Sequence, residues 1–293
     1  MIWVALAIAV LALGVAVVAA VRQERRLRAA HRRLHRLDRS LEQSELAIAT
    51  LARLAVAARG GSDDDWPEPR SQHGEEAWLW QECGWRRGGV FVEIGAYDGL
   101  RLSNSAFFEA IGWTGLLVEA DPALAEACRR NRPGSRVIEA ALSSEDGGTV
   151  TFAKVEGGGG VDTLGFIEEA GDEAHRRRVA RSGGQIESVT VSRRSLDSVL
   201  EETGCTQVDW MSIDVEGAEL DVLAGFDLER FGPRVLMLED NSGGSDRRVE
   251  QLIRPFGYRL AHRVGCNDIY VRAASAKRDA APTAAPQLAE ATR

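Results

Sequence analysis

The stretch Val90–Gly99 has the sequence VFVEIGAYDG and decides the fold of this chain. Its apolar first half predicts a buried strand, and the glycines after it let the backbone turn sharply and approach a ligand. A second apolar run ends in Glu119, 20 residues after Gly99, where a carboxylate can accept hydrogen bonds from ribose hydroxyls. The pattern predicts an open sheet with a ligand site at the carboxyl ends of its first strands.

Short apolar runs alternate with helix-like segments along the rest of the domain. The alternation predicts an α/β fold in which a mostly parallel, Rossmann-like sheet has helices on both faces. The expected strands are Val90–Ile94, Gly115–Glu119, Arg136–Ala141, Val208–Asp214 and Arg234–Glu239, and the expected helices are Ser103–Ile111, Pro122–Asn131, Gly217–Ala224 and Asp246–Arg254. After them, Tyr258–Val264 and Asp268–Arg272 predict an antiparallel hairpin.

The glycine loop argues against the obvious alternative, a dinucleotide-binding enzyme. That class needs a middle glycine beside the pyrophosphate, and this chain has Tyr97 there. The neighbouring Asp98 would also repel a pyrophosphate. S-adenosylmethionine carries a sulfonium and an ammonium group but no phosphate, so it suits the acidic Glu93, Asp98 and Glu119 better. A generic nucleotide fold, in which the glycines only make a tight turn, stays open.

Carboxylates also gather after the fourth expected strand, in the stretch Ser212–Glu219. Acids at the start of a helix favour its dipole, so helix capping accounts for part of this cluster. Asp214, however, ends an otherwise apolar strand, where burying a carboxylate is costly unless it has a partner. We therefore take Asp214 as a candidate site residue.

The first residues of the chain, Met1–Val21, contain no charged side chain. As a helix of ~1.5 Å per residue they would span a hydrocarbon core of ~30 Å, so they predict a transmembrane helix. A cleaved signal peptide is the alternative, although it normally starts with a basic segment. Arginines crowd directly after Val21, which predicts a single-pass protein of the cell membrane whose catalytic domain lies in the cytoplasm.

Composition divides the remaining chain into a stem, a linker, a domain and a tail. Residues 22–58 have no Gly or Pro and carry an apolar heptad repeat, which predicts a basic helical stem. The stem could pair two chains into a coiled-coil homodimer or be a solitary amphipathic helix. Polar residues 59–77 predict a linker, residues 78–272 the domain, and Ala-rich residues 273–293 a disordered tail.

The charge of the chain argues against a nucleic-acid partner, and the spacing of its cysteines argues against a structural zinc site. Residues 22–59 hold ten Arg and four acids, so the rest of the chain has 26 basic and 40 acidic residues, a net charge of −14. Such an acidic domain is repelled by phosphate backbones, which argues against nucleic acid as a partner. The four cysteines stand far apart without metal-ligand spacing, so no structural zinc is expected.

From Gly89 to Val271 the chain resembles the FkbM-family methyltransferases. The resemblance is carried by FVEIGAYDGLRLSN, GWTGLLVEADP, VDWMSIDVEGAELDVLAGFD and, more weakly, by VLMLEDN and NDIYVR. It implies a class I methyltransferase fold, S-adenosylmethionine as donor and methylation of a hydroxyl oxygen, often on a sugar or polyketide. It also places Asp214 and Glu216 at the mouth that faces the acceptor. The candidate cofactor-binding residues are Glu93, Gly95, Ala96, Tyr97, Asp98, Gly99, Asn104, Glu119, Ala120 and Ala141.

Methyl transfer to oxygen needs a general base near the methyl group. Asp214 is the first candidate and Asp240 the second. Glu216 could orient the acceptor or, together with Asp214, hold a hard cation such as Mg²⁺. Many relatives have Glu-His-Asn where this chain has Glu239-Asp240-Asn241, so a histidine base is absent there. We assign no chemistry to the histidines in polar segments, which are His31, His35, His73 and His175.

The expected function is O-methylation of a sugar, lipid-linked glycan or other small molecule at the cytoplasmic membrane face. A membrane-tethered binding module without catalysis and a nucleotide-dependent sugar-modifying enzyme are the alternatives. The charged, glycine-rich insertion Glu156–Gln185 could be a lid, an acceptor-binding loop or a mobile surface segment.

Overall fold

A computed structural model describes residues 67–157, 163–168 and 173–273 of the chain. The expected transmembrane helix, the stem, the first part of the linker (residues 59–66) and the tail beyond Ala273 lie outside the described residues. Among the helices within these ranges, none is long and apolar enough to cross a membrane.

Strands and helices alternate as the sequence predicts. Helix α3 covers the expected residues because Asp121 caps its start and Pro122 occupies its first position. In chain order the elements are α1 (Glu75–Glu82), β1 (Val90–Ile94), α2 (Ala106–Ala110), β2 (Thr114–Glu119), α3 (Pro122–Asn131), β3 (Ser135–Glu139), β4 (Ala141–Leu142), β5 (Thr149–Glu156), β6 (Phe166–Ile167), α4 (Glu173–Ser182), β7 (Gln185–Arg194), α5 (Leu196–Thr203), β8 (Trp210–Ile213), α6 (Glu219–Ala224), β9 (Val235–Glu239), α7 (Arg248–Ile253), a 3-10 helix (Arg254–Phe256), β10 (Tyr258–Val264) and β11 (Asn267–Arg272).

The main sheet has seven strands in the order β10-β11-β9-β8-β1-β2-β3. The strands from β9 to β3 run parallel, while β11 is antiparallel to both of its neighbours. This confirms a mostly parallel sheet that ends in an antiparallel hairpin, as expected of a class I methyltransferase fold. Because the parallel strands point the same way, the carboxyl ends of β1, β2, β8 and β9 meet at one edge.

Apolar layers cover both faces of the main sheet. On β1, Val92 and Ile94 pack into one layer with Met211, while Phe91 stacks on Trp210 in the other. Parallel strands buried on both faces have near-continuous apolar sequences, which is why the sequence identified them. The buried centre of the sheet fixes the positions of the loops that follow β1 and β8.

A second sheet, in the order β4-β7-β5-β6, is absent from the sequence expectation. The expected strand Arg136–Ala141 is wrong in its extent, because β3 stops at Glu139 and Ala141 starts β4, which pairs with β7. Val155 and Phe166 of this sheet form a small core with Val179 of α4. The described part of the insertion therefore packs onto the domain and is more than a surface loop.

The domain starts earlier than the sequence suggests. Helix α1 begins at Glu75, before the expected boundary at Trp78. The buried carboxylate of Glu76, in its first turn, accepts hydrogen bonds from the backbone N–H groups of Arg70 (2.6 Å) and Ser71 (2.7 Å), which precede the helix. The last residues of the expected linker thus belong to the packed structure.

Candidate functional site

A cleft of about 550 Å³ opens at the carboxyl ends of β1, β2 and β8. Asp214 and Glu216 line it from the loop after β8. The candidate cofactor residues that line it are Glu93, Gly95, Ala96, Tyr97, Asn104, Glu119, Ala120 and Ala141. The structure therefore brings both halves of the expected site together around one space, which we call the donor cleft.

Glu119 is the acidic residue at the end of β2 and is almost completely buried. Its carboxylate accepts hydrogen bonds from the backbone N–H groups of Tyr97 (2.8 Å) and Asp121 (2.9 Å). Burial raises the pKa of Glu119 to about 7, and these hydrogen bonds oppose the rise. Glu119 therefore joins the loops after β1 and β2 and presents a carboxylate whose charge depends on pH near neutrality.

Glu93 lines the donor cleft, but its carboxylate is used to hold a loop. It accepts hydrogen bonds from the hydroxyl groups of Ser103 (2.9 Å) and Ser105 (2.5 Å) and from the backbone N–H of Asn104 (2.7 Å). Burial raises its pKa, and the nearby Arg132 guanidinium counteracts this. Because these residues bond to Glu93, helix α2 starts at Ala106, later than the sequence predicts.

Asp98 and Gly99 do not line the donor cleft, contrary to the expectation for them as cofactor residues. The Asp98 carboxylate accepts hydrogen bonds from the backbone N–H groups of Leu100 (2.8 Å) and Arg101 (2.7 Å), so it stabilises the turn itself. A Cβ on Gly99 would lie 2.9 Å from the Arg132 side chain. Asp98 and Gly99 therefore support the conformation of the loop without lining the cleft.

Gly95 allows the closest backbone approach in the site. It has a φ of 81°, and a Cβ there would overlap the carbonyl oxygen of Asp214 and lie 3.0 Å from the carbonyl carbon. Three other residues that line the cleft, Tyr97 (φ 53°), Leu102 (φ 58°) and Glu216 (φ 54°), hold the left-handed conformation without being glycines. Such strain persists only where surrounding structure fixes it, and it is common at functional sites.

Three carboxylates meet at one end of the donor cleft, and we call them the carboxylate cluster. They belong to Asp214, Glu216 and Glu239, and one oxygen of each lies within 4.8 Å of the others. Like charges so close cannot all be ionised without a large cost, so the cluster retains protons that exposed carboxyl groups would lose.

The pKa values in the cluster follow from this crowding. Desolvation raises the pKa of Asp214 well above its ordinary value, and the charges of Glu239 and Glu216 raise it further. Desolvation and the charge of Glu216 raise the pKa of Glu239 to about 8. Asp214 and Glu239 therefore form a coupled pair that can take up a proton near neutral pH.

Helix α4 places two basic side chains, Arg178 and His175, against the carboxylate cluster, and the sequence pattern predicts neither contact. The Arg178 guanidinium forms an ion pair with Glu216 and lies 3.9 Å from Glu239. Buried His175 has Nδ1 3.3 Å from Glu216 and Nε2 3.0 Å from the carbonyl oxygen of Leu164. The expectation that His175 has no chemistry because it lies in a polar segment is therefore wrong about its surroundings.

Asp240, the second candidate base, faces away from the donor cleft. Its carboxylate accepts hydrogen bonds from the backbone N–H groups of Ser242 (2.9 Å) and Gly244 (2.6 Å) and from Arg263 (3.0 Å). Its neighbour Glu239 lines the cleft instead. Strand register could have revealed this, because Ile213 pairs with Leu238, which sets the next residues, Asp214 and Glu239, side by side.

A family model described as the methyltransferase FkbM domain matches residues 93–260, which is more than half of the chain. The chain belongs to the FkbM methyltransferase family. The chain therefore carries a methyltransferase domain, and the dinucleotide-dependent and non-catalytic alternatives are not supported.

Among curated proteins, this methyltransferase is similar to the 2-O-methyltransferase NoeI of Sinorhizobium fredii (strain NBRC 101917 / NGR234). The two are 33% identical over 144 residues. The match covers 46% of this chain and 56% of NoeI, so it spans little more than half of that relative's length.

Solved methyltransferase structures are similar at a lower level. The C-terminal domain of precorrin-6Y C5,15-methyltransferase from Rhodobacter capsulatus has 12% identity and a TM-score of 0.37, with 69% of this chain and 88% of that chain covered. The METTL16 methyltransferase domain has 10% identity and a TM-score of 0.42, with 68% and 66% covered. The fold assignment rests on the strand order and not on these similarities.

S-adenosylmethionine is the cofactor of this methyltransferase, and the donor cleft fits it. Buried Glu119 offers a carboxylate where ribose hydroxyls can donate hydrogen bonds. A volume of about 550 Å³ is ordinary for a small-molecule site. Which side chains contact the cofactor stays a prediction.

The carboxylate cluster is also the group of described side chains that could hold a metal ion. Arg178, however, already places a positive charge on Glu216 and near Glu239. This guanidinium balances charge that a cation would otherwise have to balance. The alternative in which Asp214 and Glu216 hold Mg²⁺ is therefore unsupported.

Proposed function

We propose that the protein methylates a hydroxyl oxygen of a sugar, a lipid-linked glycan or another small molecule. The observation that carries this proposal is the Asp214–Glu239 pair, whose raised pKa values suit a group that takes a proton near neutral pH. The similarity to a 2-O-methyltransferase supports the same reaction type.

When bound, S-adenosylmethionine supplies a methyl group made electrophilic by the sulfonium. Whichever of Asp214 and Glu239 is ionised accepts the hydrogen bond of the acceptor hydroxyl and takes its proton as the oxygen gains the methyl group. S-adenosylhomocysteine is the second product. A positioned base of this kind contributes roughly 10²–10⁴-fold to a rate.

Arg178 and Glu216 have a supporting role in this proposal. The charge of Glu216 raises the pKa values of Asp214 and Glu239, and the positive charge of Arg178 opposes that rise. The buried His175 beside Glu216 limits the directions in which this carboxylate can turn. Asp214 and Glu239 thus lie next to the Arg178–Glu216 ion pair and line the donor cleft.

The proposal is tested with the full chain and S-adenosylmethionine labelled in its methyl group. The chain is incubated with glycans and lipids extracted from cells that lack the protein, and the products are hydrolysed and analysed by mass spectrometry. We expect label in methyl ethers. Label found only on nitrogen, carbon or sulfur would contradict O-methylation and leave the methyltransferase assignment intact.

We also propose that the reaction takes place at the cytoplasmic membrane face. This location rests on the sequence alone, namely the apolar segment Met1–Val21 and the arginines that follow it. Protease treatment of intact and opened cells tests it. We expect the domain to be cleaved only after opening, and cleavage in intact cells would contradict the proposed orientation.

A further inference from the structure

A second cavity, of about 540 Å³, lies beside the donor cleft. It is bounded by α4, by the start of α6, by the loop after β9 and by β11. We call it the outer cavity. Methyl transfer needs a binding site for the acceptor as well as for the donor, and the donor cleft accounts only for the donor.

The two cavities share a wall. Arg178, Glu216, Glu239 and Asn241 line both of them. The proposed proton acceptor Glu239 is therefore reachable from either side. Transfer requires the donor methyl and the acceptor oxygen to meet in line at a few ångströms, and the shared wall is where a ligand in one cavity comes nearest to a ligand in the other.

We propose that the outer cavity is the acceptor-binding site and that it takes an uncharged, hydroxyl-rich group. This inference rests on the proposed O-methylation. It adds a cavity for the acceptor and a restriction on the acceptor's charge.

The charge of the lining restricts the acceptor. Three guanidinium groups, those of Arg178, Arg181 and Arg248, face six carboxyl groups. The carboxyl groups belong to Glu216, Glu219, Glu239, Asp240, Asp246 and Asp268. Arg178 forms an ion pair with Glu216 and Arg248 with Asp246, while Arg263, from outside the lining, pairs with both Asp240 and Asp268. The charges of the lining are therefore mostly matched within the protein, so little is left to balance the charge of a phosphate or carboxylate, whereas a neutral polyol finds hydrogen-bond acceptors and donors on several sides.

The inference also gives a role to the insertion that the sequence analysis left open between a lid, an acceptor-binding loop and a surface segment. His175, Arg178 and Arg181 of α4 line the outer cavity, and Thr163, Leu164 and Gly165 line the donor cleft. Helix α4 of the insertion thus forms the acceptor-binding wall, and the residues before it close the donor cleft. Relatives that differ in this segment would differ in acceptor choice.

Leu220 provides a specific test, because it lines the outer cavity from α6 and is half-buried, and it is not among the residues lining the donor cleft. Leu220→Trp and Leu220→Phe should fill the outer cavity, and Leu220→Ala is the matched variant that enlarges it. Calorimetry with S-adenosylmethionine shows whether each variant is folded and keeps its donor cleft, and a variant without wild-type affinity is set aside in favour of the others.

Acceptor binding is measured by saturation-transfer NMR on the full chain loaded with S-adenosylhomocysteine. The probes are methyl glycosides of neutral hexoses and 6-deoxyhexoses, each compared with its phosphorylated form. We expect saturation of at least one neutral glycoside, with affinity reduced about tenfold or more by Leu220→Trp, less by Leu220→Phe and little by Leu220→Ala.

Three results would overturn the inference. These are no saturation of any neutral glycoside, binding that is unaffected by Leu220→Trp, or equal binding of the phosphorylated forms. Each would leave the proposed O-methylation standing if the labelling experiment gives methyl ethers. Failure of S-adenosylmethionine to bind the wild-type chain would instead contradict the proposed function itself.

Discussion

Gly95 and Asp214 are in such close contact that no side chain fits between them. A Cβ on Gly95 would overlap the carbonyl oxygen of Asp214, and the backbone N–H of Asp214 donates to the carbonyl of Ile94 (3.0 Å). The loop that follows β1 and the proposed base after β8 are therefore coupled through the backbone. Parallel pairing of Ile94 with Ile213 sets up this contact.

We expect Gly95→Ala to abolish measurable binding of S-adenosylmethionine, because the loop must move away from Asp214 to relieve the overlap. Calorimetry gives the affinity and thermal unfolding gives the stability. Gly112→Ala is the matched control, since Gly112 also has a positive φ (94°) but has no atom within 4 Å of the position of a Cβ. Unchanged affinity in Gly95→Ala would show that this contact does not shape the cleft.

Asp214→Asn should keep the affinity for S-adenosylmethionine and reduce kcat by about 100-fold or more, because an amide cannot take the hydroxyl proton. The comparison variant is Asp221→Asn on α6, whose carboxylate accepts a hydrogen bond from Ser144 (2.6 Å) away from both cavities. Steady-state rates of methyl-ether formation are the measurement. Full turnover by Asp214→Asn would remove its assigned role.

The rate of transfer should rise with pH and level off above about 8. The pKa of Glu239 is raised to about 8 and that of Asp214 is also raised, so more of the pair is free to accept a proton as pH increases. In Glu239→Gln the charge of Glu239 no longer acts on Asp214, so the pKa of Asp214 falls and the pH profile of the rate moves to lower pH. A profile that is flat from about pH 6 to about pH 9 would contradict proton transfer to this pair.

The free energy of unfolding of the protein without cofactor should fall as pH rises, whereas the rate of transfer should increase. Glu239 and Glu119 have folded-state pKa values of about 8 and about 7, against an ordinary value of 4.5 in the unfolded chain. The folded state then holds protons that the unfolded state releases, so the free energy of unfolding falls as pH rises from about 4.5 through 7 and 8. Urea unfolding of wild type and Glu239→Gln checks this, and the variant should show the flatter dependence.

Removal of divalent metal with EDTA should leave the rate unchanged, because Arg178 supplies the positive charge at the carboxylate cluster. Arg178→Ala should lower the rate, while Arg178→Lys should retain more of it by keeping the charge. Methyl-ether formation before and after EDTA treatment is the assay. Loss of activity with EDTA and its recovery with MgCl₂ would favour a metal on these carboxylates.

The sequence predicted the main sheet well because its strands are buried on both faces. Val90–Ile94 is apolar except for Glu93 and reads as a buried strand, and Asp121 and Pro122 set the start of α3. The second sheet escaped prediction because its strands are less regular. Most residues of β7 are exposed, and β4 and β6 have only two residues each.

The site was predicted where chemistry follows directly from a strand end and missed where distant segments meet. Glu119 ends β2, Asp214 directly follows β8, and both line the donor cleft. His175 and Arg178 lie in a charged helix whose docking onto Glu216 no local pattern reveals. Asp240 and Glu239 differ by one position, and only strand register decides which of them faces the cleft.

The most direct test of this account is calorimetric titration of the full chain with S-adenosylmethionine, for wild type and for Glu119→Gln. We expect one-to-one binding by the wild type, weakening below about pH 7 as Glu119 takes up a proton. In Glu119→Gln we expect the affinity to be about tenfold lower and independent of this titration. Absence of binding by the wild type, or equal binding by Glu119→Gln at every pH, would contradict a donor site built around Glu119.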